Sequence, residues 1–137
     1  MKKQAFKEIR IGDKRTFSKV ITEDDVKTFA AITGDSAPIH LDDRFASRTI
    51  FRSRITHGMF VAGLISAALS RFPGIIIYLS QSLRFLKPVR MEERIEAVAE
   101  VLEKIDERSE LRLKTVCTNE RNEIVVEGEA RVMVMET

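Results

Sequence analysis

Three features of the 137-residue chain predict an α+β fold, with one central helix packed on an antiparallel sheet. Ile55–Ser70 contains no Lys, Arg, Asp or Glu and is apolar around nearly its whole helical circumference. A helix without a polar face is normally enclosed on all sides. Two late segments, Leu111–Thr118 and Ile124–Met135, alternate apolar and polar residues with the period of a half-buried strand. In a chain this short, a central helix is enclosed only if such strands wrap around it.

The elements follow in order. Thr16–Ile21 alternates loosely and reads as a short strand. Thr22 then has the character of a helix N-cap, with Glu23, Asp24 and Asp25 in the first turn and Asp25 at the capping-box position. Val26, Phe29, Ala30 and Ile32 or Thr33 supply the apolar stripe, and Gly34 stands at the usual C′ stop. The loop Asp35-Ser-Ala-Pro-Ile-His40 therefore starts directly beyond a helix end. Leu41–Ala46 fits a helical turn. The central helix ends at Arg71, Pro73 and Gly74, and Ile75–Leu79 is a β-rich run.

Met91–Glu107 is ambiguous. Its Glu, Ala, Lys and Leu favour helix, and Ile95, Val98, Leu102 and Ile105 fit helical spacing. Ile95, Ala97, Ala99 and Val101 fit a strand equally well, and the need to cover a buried helix favours the strand.

Length and composition limit what the chain does. One domain over 1–137 is expected, with no repeat, linker or low-complexity tract to divide it. Lys and Arg number 23 against 21 Asp and Glu, too small an excess to imply nucleic acid as a partner. One cysteine, Cys117, excludes an internal disulfide framework, and in an alternating strand it reads as core. With two histidines, His40 and His57, a His-rich metal site is not expected. Met1–Arg10 lacks the apolar core of a secretory signal, and the uncharged run falls short of the about 18–20 residues that span a bilayer. A soluble cytoplasmic protein without a membrane partner is the expectation.

The chemistry concentrates in two places. Asp35 and His40 lie five residues apart with Pro38 restricting the loop, so a carboxylate and an imidazole can converge on one water. The same spacing also fits an Asp that merely follows a cap and a His that satisfies a loop carbonyl. His57-Gly58 opens the apolar helix, where unpaired N–H groups and the helix dipole stabilise an oxyanion. Gly58 there equally fits tight packing, with His57 as a cap.

The stretches FAAITGDSAPIH, RITHGM and LSQSLRFLKPV, in that order, resemble the MaoC-like dehydratase family, which includes the (R)-specific enoyl-CoA hydratases of the hotdog fold. The likeness extends over roughly residues 16–135. It implies an antiparallel sheet wrapped around a long helix, with Met91–Glu107 as strand. It also implies that Asp35 and His40 hold a water and perform syn addition to a trans-2-enoyl thioester, or the reverse dehydration. The Gly58 N–H is the implied oxyanion donor, no metal or organic cofactor is required, and the enzyme is expected to work as a homodimer. Two residues depart from the family pattern: Ala37 where Asn is common, and Gly63 where Ser or another small residue is frequent.

His57, Arg48, Arg52, Arg54, Arg84 and Lys87 are the expected substrate-binding residues. The cations would contact the phosphates of CoA or an acidic carrier protein. A solvated basic loop, with Arg54 structural, is the competing reading. A hotdog thioesterase and a catalytically silent thioester-binding subunit are the competing functions.

Overall fold

The computed structural model describes residues 3–137. A six-stranded antiparallel sheet is formed by β1 (Lys14–Val20), β2 (Ile75–Gln81), β3 (Arg84–Phe85), β4 (Arg94–Ile105), β5 (Glu110–Thr118) and β6 (Ile124–Met135). Its order is β1-β4-β5-β6-β2, with β3 also pairing with β6. The helices are α1 (Gln4–Glu8), α2 (Glu23–Thr33), α3 (Pro38–Leu41), α4 (Asp43–Ser47) and α5 (Gly58–Leu69). No described helix is long and apolar enough to cross a membrane.

The sheet curls around α5. From the helix, Val61, Ala62, Leu64, Ile65, Ala68 and Leu69 are buried. Facing them are Ile95, Ala97, Ala99 and Val101 of β4, Leu111, Leu113 and Cys117 of β5, and Ala130, Val132 and Val134 of β6. Alternate residues of β4 point inward, so the tertiary need for cover overrides the helix propensity of 91–107, and the segment is strand. Small alanines on β4 and β6 let the helix lie close to the sheet. The Cys117 thiol is buried against the helix, with Sγ 3.7 Å from the Val61 carbonyl, and burial pushes it up to about 12.

Two expectations are corrected. The central helix is not enclosed on every side: Met59, Gly63 and Ser66, spaced along one face, are exposed, because a sheet covers only one side of a helix. Ile32 is 78% exposed and lies off the apolar stripe of α2, which Val26 and Ala30 carry. The short α1 was not foreseen. It seats Phe6 in the core, and its Ala5 and Phe6 N–H groups donate to the Glu136 carboxylate.

The start and end of α2 follow the sequence closely. Thr22 Oγ1 accepts from the Asp25 N–H at 3.1 Å, and Asp25 Oδ2 accepts from the Thr22 N–H at 3.0 Å, completing the capping box. Gly34 closes the helix at φ 83°, a left-handed conformation that glycine adopts without steric cost. That stop fixes where Asp35 begins.

Candidate active site

The loop after α2 is held by its own side chains. Thr33 Oγ1 donates to the Phe29 carbonyl at 2.7 Å and accepts from the Asp35 N–H at 3.2 Å. The Ala37 N–H donates to Asp35 Oδ1 at 3.4 Å, so the chain turns without an amide at position 37. Pro38 stands at the first position of α3, where a missing N–H costs nothing. His40 is thereby carried back toward Asp35 on one helical turn.

Long-range bonds bring the second motif to the same place. The segment before α5 runs beside α3, with the Ile55 N–H donating to the Ile39 carbonyl at 3.2 Å. The Thr56 N–H donates to Val89 at 2.7 Å and ties the segment to the chain that enters β4. His40 Nδ1 lies 2.7 Å from the Ile55 carbonyl oxygen, and His57 Nε2 lies 2.8 Å from the Asp35 carbonyl oxygen. A carbonyl only accepts, so each of these nitrogens carries the ring proton. His40 therefore satisfies a loop carbonyl with one nitrogen and keeps a lone pair on Nε2.

The two imidazoles stack at 3.8 Å between centroids, 24° from parallel. Phe29 packs on the far side of His57 at 4.7 Å and stacks with Phe60 at 5.1 Å. His57 is 2% exposed, whereas Asp35 is exposed and His40 half-buried. Ligating atoms of Asp35, His40 and His57 all lie within 4.8 Å of one another. These are the residues from which a metal would draw ligands. Two of the four ring nitrogens already donate to carbonyls. The free pair is the Asp35 carboxylate and His40 Nε2, which is the composition of a proton-transfer site.

A cleft of about 410 Å³ opens along Ile55 and Gly58, the residues that flank Thr56 and His57, and is lined as well by Phe51, Phe85, Val89 and Val126 among others. Its walls are mainly apolar, and the N-terminus of α5 enters it at Gly58. The first N–H groups of a helix have no acceptor within the helix. A Cβ added at Gly58 would come within 2.8 Å of Phe85 Cδ1, so glycine lets this ring pack close beside the helix start.

The basic residues divide. Arg48 and Arg52 are exposed on the segment that supplies Phe51 and Ile55 to the cleft wall. Arg54 is corrected: its side chain is only 9% exposed, with Nε donating to Asp43 Oδ1 at 2.6 Å and Nη2 to Glu23 Oε1 at 3.0 Å. Burial by itself would lower its basicity, and the two carboxylates more than reverse this, raising it. A guanidinium so held joins α2, α4 and the approach to α5, and is not free for a phosphate. Arg84 is corrected as well. It pairs in register with Glu127 on β6 while its neighbour Phe85 pairs with Val126 in the cleft, so Arg84 is on the opposite face of the strand. Lys87 lines the cleft and forms an ion pair with Glu123 at 2.7 Å. His57 is corrected from contact with a substrate to contact with Asp35 and His40, since its ring is buried beneath them.

Sequence reasoning missed Phe29, Phe85 and the Ile55 carbonyl. Phe29 had a signal, its place one turn before Thr33 on the helix that ends at the loop. Phe85 had a weaker one, its alternation with Arg84.

A sequence model of the MaoC-like domain matches residues 6–124. The chain is 46% identical over 131 residues to a 3-hydroxybutyryl-CoA dehydratase of Methylorubrum extorquens, covering 94% of this chain and 83% of the relative. It is 40% identical over 131 residues to an (R)-specific enoyl-CoA hydratase of Rhodospirillum rubrum, covering 94% and 90%. Among solved structures, an unliganded R-hydratase of Pseudomonas aeruginosa superposes with a TM-score of 0.89 at 40% identity, covering 96% of this chain and 86% of that one.

Proposed function

This chain belongs to the MaoC-like family, a hotdog-fold hydro-lyase group, and from that premise we propose that it hydrates trans-2-enoyl-CoA thioesters reversibly to (R)-3-hydroxyacyl-CoA. One observation carries the assignment to residues. His40 Nε2 and the Asp35 carboxylate lie close together, and His40 is bonded through Nδ1 to the carbonyl of Ile55, which with Gly58 lines an apolar cleft entered by a helix N-terminus. Both relatives described above bear CoA in their names, which favours CoA over a carrier protein.

The chemistry follows from the groups. Water bridges Asp35 and His40, with the carboxylate orienting it through one hydrogen and His40 Nε2 accepting the other. As that proton leaves, the water oxygen bonds to C3, the C2–C3 π electrons move toward the carbonyl, and negative charge collects on the thioester oxygen. The Gly58 N–H, with the dipole of α5 behind it, opposes that charge. Collapse of the enolate takes the proton from the His40 imidazolium to C2, restoring His40. Hydroxyl and proton both come from the one water, the proton by way of His40, hence from one face of the double bond, which is syn addition. Dehydration is the same path reversed.

Arg48 and Arg52, exposed on the segment that supplies Phe51 and Ile55 to the cleft wall, and Lys87, which lines the cleft, serve as phosphate contacts for a charged thiol carrier. A homodimer is supported by β2, an edge strand that exposes Ile75, Ile77, Tyr78 and Leu79, a row of apolar side chains that a second copy would cover.

The test supplies crotonyl-CoA and longer enoyl-CoAs and follows enoyl absorbance together with free thiol. Loss of absorbance without thiol is the expected result. Thiol release would make the protein a thioesterase, and no change in either would make it a binding subunit. Asp35→Asn and His40→Gln should each lower kcat by about 10²–10⁴-fold.

A further inference from the structure

We infer that His57 is a positioning residue for the hydration site, acting through Asp35 and His40 without touching substrate. The inference rests on the acid–base reading of that pair. The observation behind it is the use of the two faces and two nitrogens of a ring that is 2% exposed. His57 Nε2–H donates to the backbone carbonyl of Asp35 across 22 residues of sequence, at 2.8 Å. It therefore fixes the main chain from which the carboxylate projects, at an exposed residue whose other bonds are local ones, with Thr33 and Ala37. Its ring lies against the His40 ring at 3.8 Å, with Phe29 on its other side at 4.7 Å.

His57 Nδ1 is buried without a partner. A buried polar atom left unpaired is costly, and a phenyl ring would fill the same space without that cost. The Nε2–H bond and the stack are what a phenyl ring does not both supply. The face of the His57 ring is also a suitable bed for the imidazolium that His40 becomes when it takes the water's proton, since cations stack favourably on aromatic faces. The same residue thus sets the position of the carboxylate and supports the charged state of the imidazole.

The two-histidine composition makes the test direct. Ring 15N spectra of the histidine-labelled, tag-free protein should show two opposite tautomers: a Nδ1–H ring that vanishes in His40→Gln, and a Nε2–H ring that remains. His57→Phe keeps a buried aromatic ring and loses the donor. Its kcat on crotonyl-CoA should fall roughly 30–100-fold, the scale of a small misplacement of a reacting group, with KM changed less than about threefold. His57→Gln presents an N–H near the same point and should recover at least about fivefold of that loss. The same tautomer on both rings, wild-type kcat in His57→Phe, or a Gln variant no better than Phe would each overturn the inference. If His57→Phe does not fold, the spectra and the Gln variant decide. Wild-type kcat in both Asp35→Asn and His40→Gln would instead overturn the acid–base reading, and this inference with it.

Discussion

Arg54→Met separates the two roles open to the most buried arginine of the basic segment. Its guanidinium bonds Asp43 at 2.6 Å and Glu23 at 3.0 Å. Hydrogen bonds to charged groups contribute about 1.5–3 kcal/mol each when the partners stay dry. Here the Glu23 and Asp43 side chains are 48% and 81% exposed, so water recovers both once the arginine is gone. Methionine also fills the stem's place and removes the desolvation penalty of a buried cation. The net loss is then about 1–3 kcal/mol, a fall in Tm of roughly 3–10 °C for a chain of this length. Thermal unfolding of Arg54→Met, Glu23→Gln, Asp43→Asn and the double variants gives the coupling to each carboxylate, about 0.5–1.5 kcal/mol. Turnover is measured with crotonyl-CoA and with the phosphate-free N-acetylcysteamine thioester. A structural Arg54 lowers kcat/KM by the same factor for both, because the segment leading to His57 loosens for either substrate. An unchanged Tm with a loss confined to the CoA substrate would refute the reasoning and return Arg54 to the phosphates.

Three other outcomes are expected. Charge reversal at Arg48 or Arg52 should raise KM for crotonyl-CoA about 3–10-fold and spare the N-acetylcysteamine thioester, while equal effects would remove the phosphate role. Glu123, bonded by Lys87, Asn119 and Arg121, is held down at about 2 against an ordinary value of 4.5. The folded state thus binds fewer protons than the unfolded chain between these values. Its contribution to stability is complete above about pH 4.5 and lost as pH falls through about 2, so Glu123→Gln should flatten the acid limb of Tm against pH. Cys117, pushed up to about 12 by burial, should resist thiol reagents at pH 8 in the folded protein and react fully in denaturant; rapid labelling of the native state would show that the core strand is open.

Local patterns in the sequence determined α2, β5, β6 and the chemistry available to the site. Thr22, Asp25 and Gly34 mark the limits of a helix through bonds made within a few residues. The alternation at 111–118 and 124–135 sets which side chains face inward, since a strand has period two whatever it packs against. The motif residues Asp35, His40 and Gly58 were legible for a related reason: each is placed by a cap, a proline or a helix start that lies beside it in the chain.

What only the tertiary structure decided depends on partners far away in sequence. Residues 91–107 hold two apolar periodicities, and the demand of α5 for a covering surface selects the strand. Arg54 reads as one more exposed cation until α2 and α4 bring Glu23 and Asp43 to it. The imidazole of His57 reads as a cap until folding sets Nε2 against the Asp35 carbonyl. Likewise, the state of His40 is fixed by the Ile55 carbonyl, 15 residues away, which takes one nitrogen and leaves the other free. Composition supplied the groups, and long-range backbone bonds determined which of their atoms remain available for chemistry.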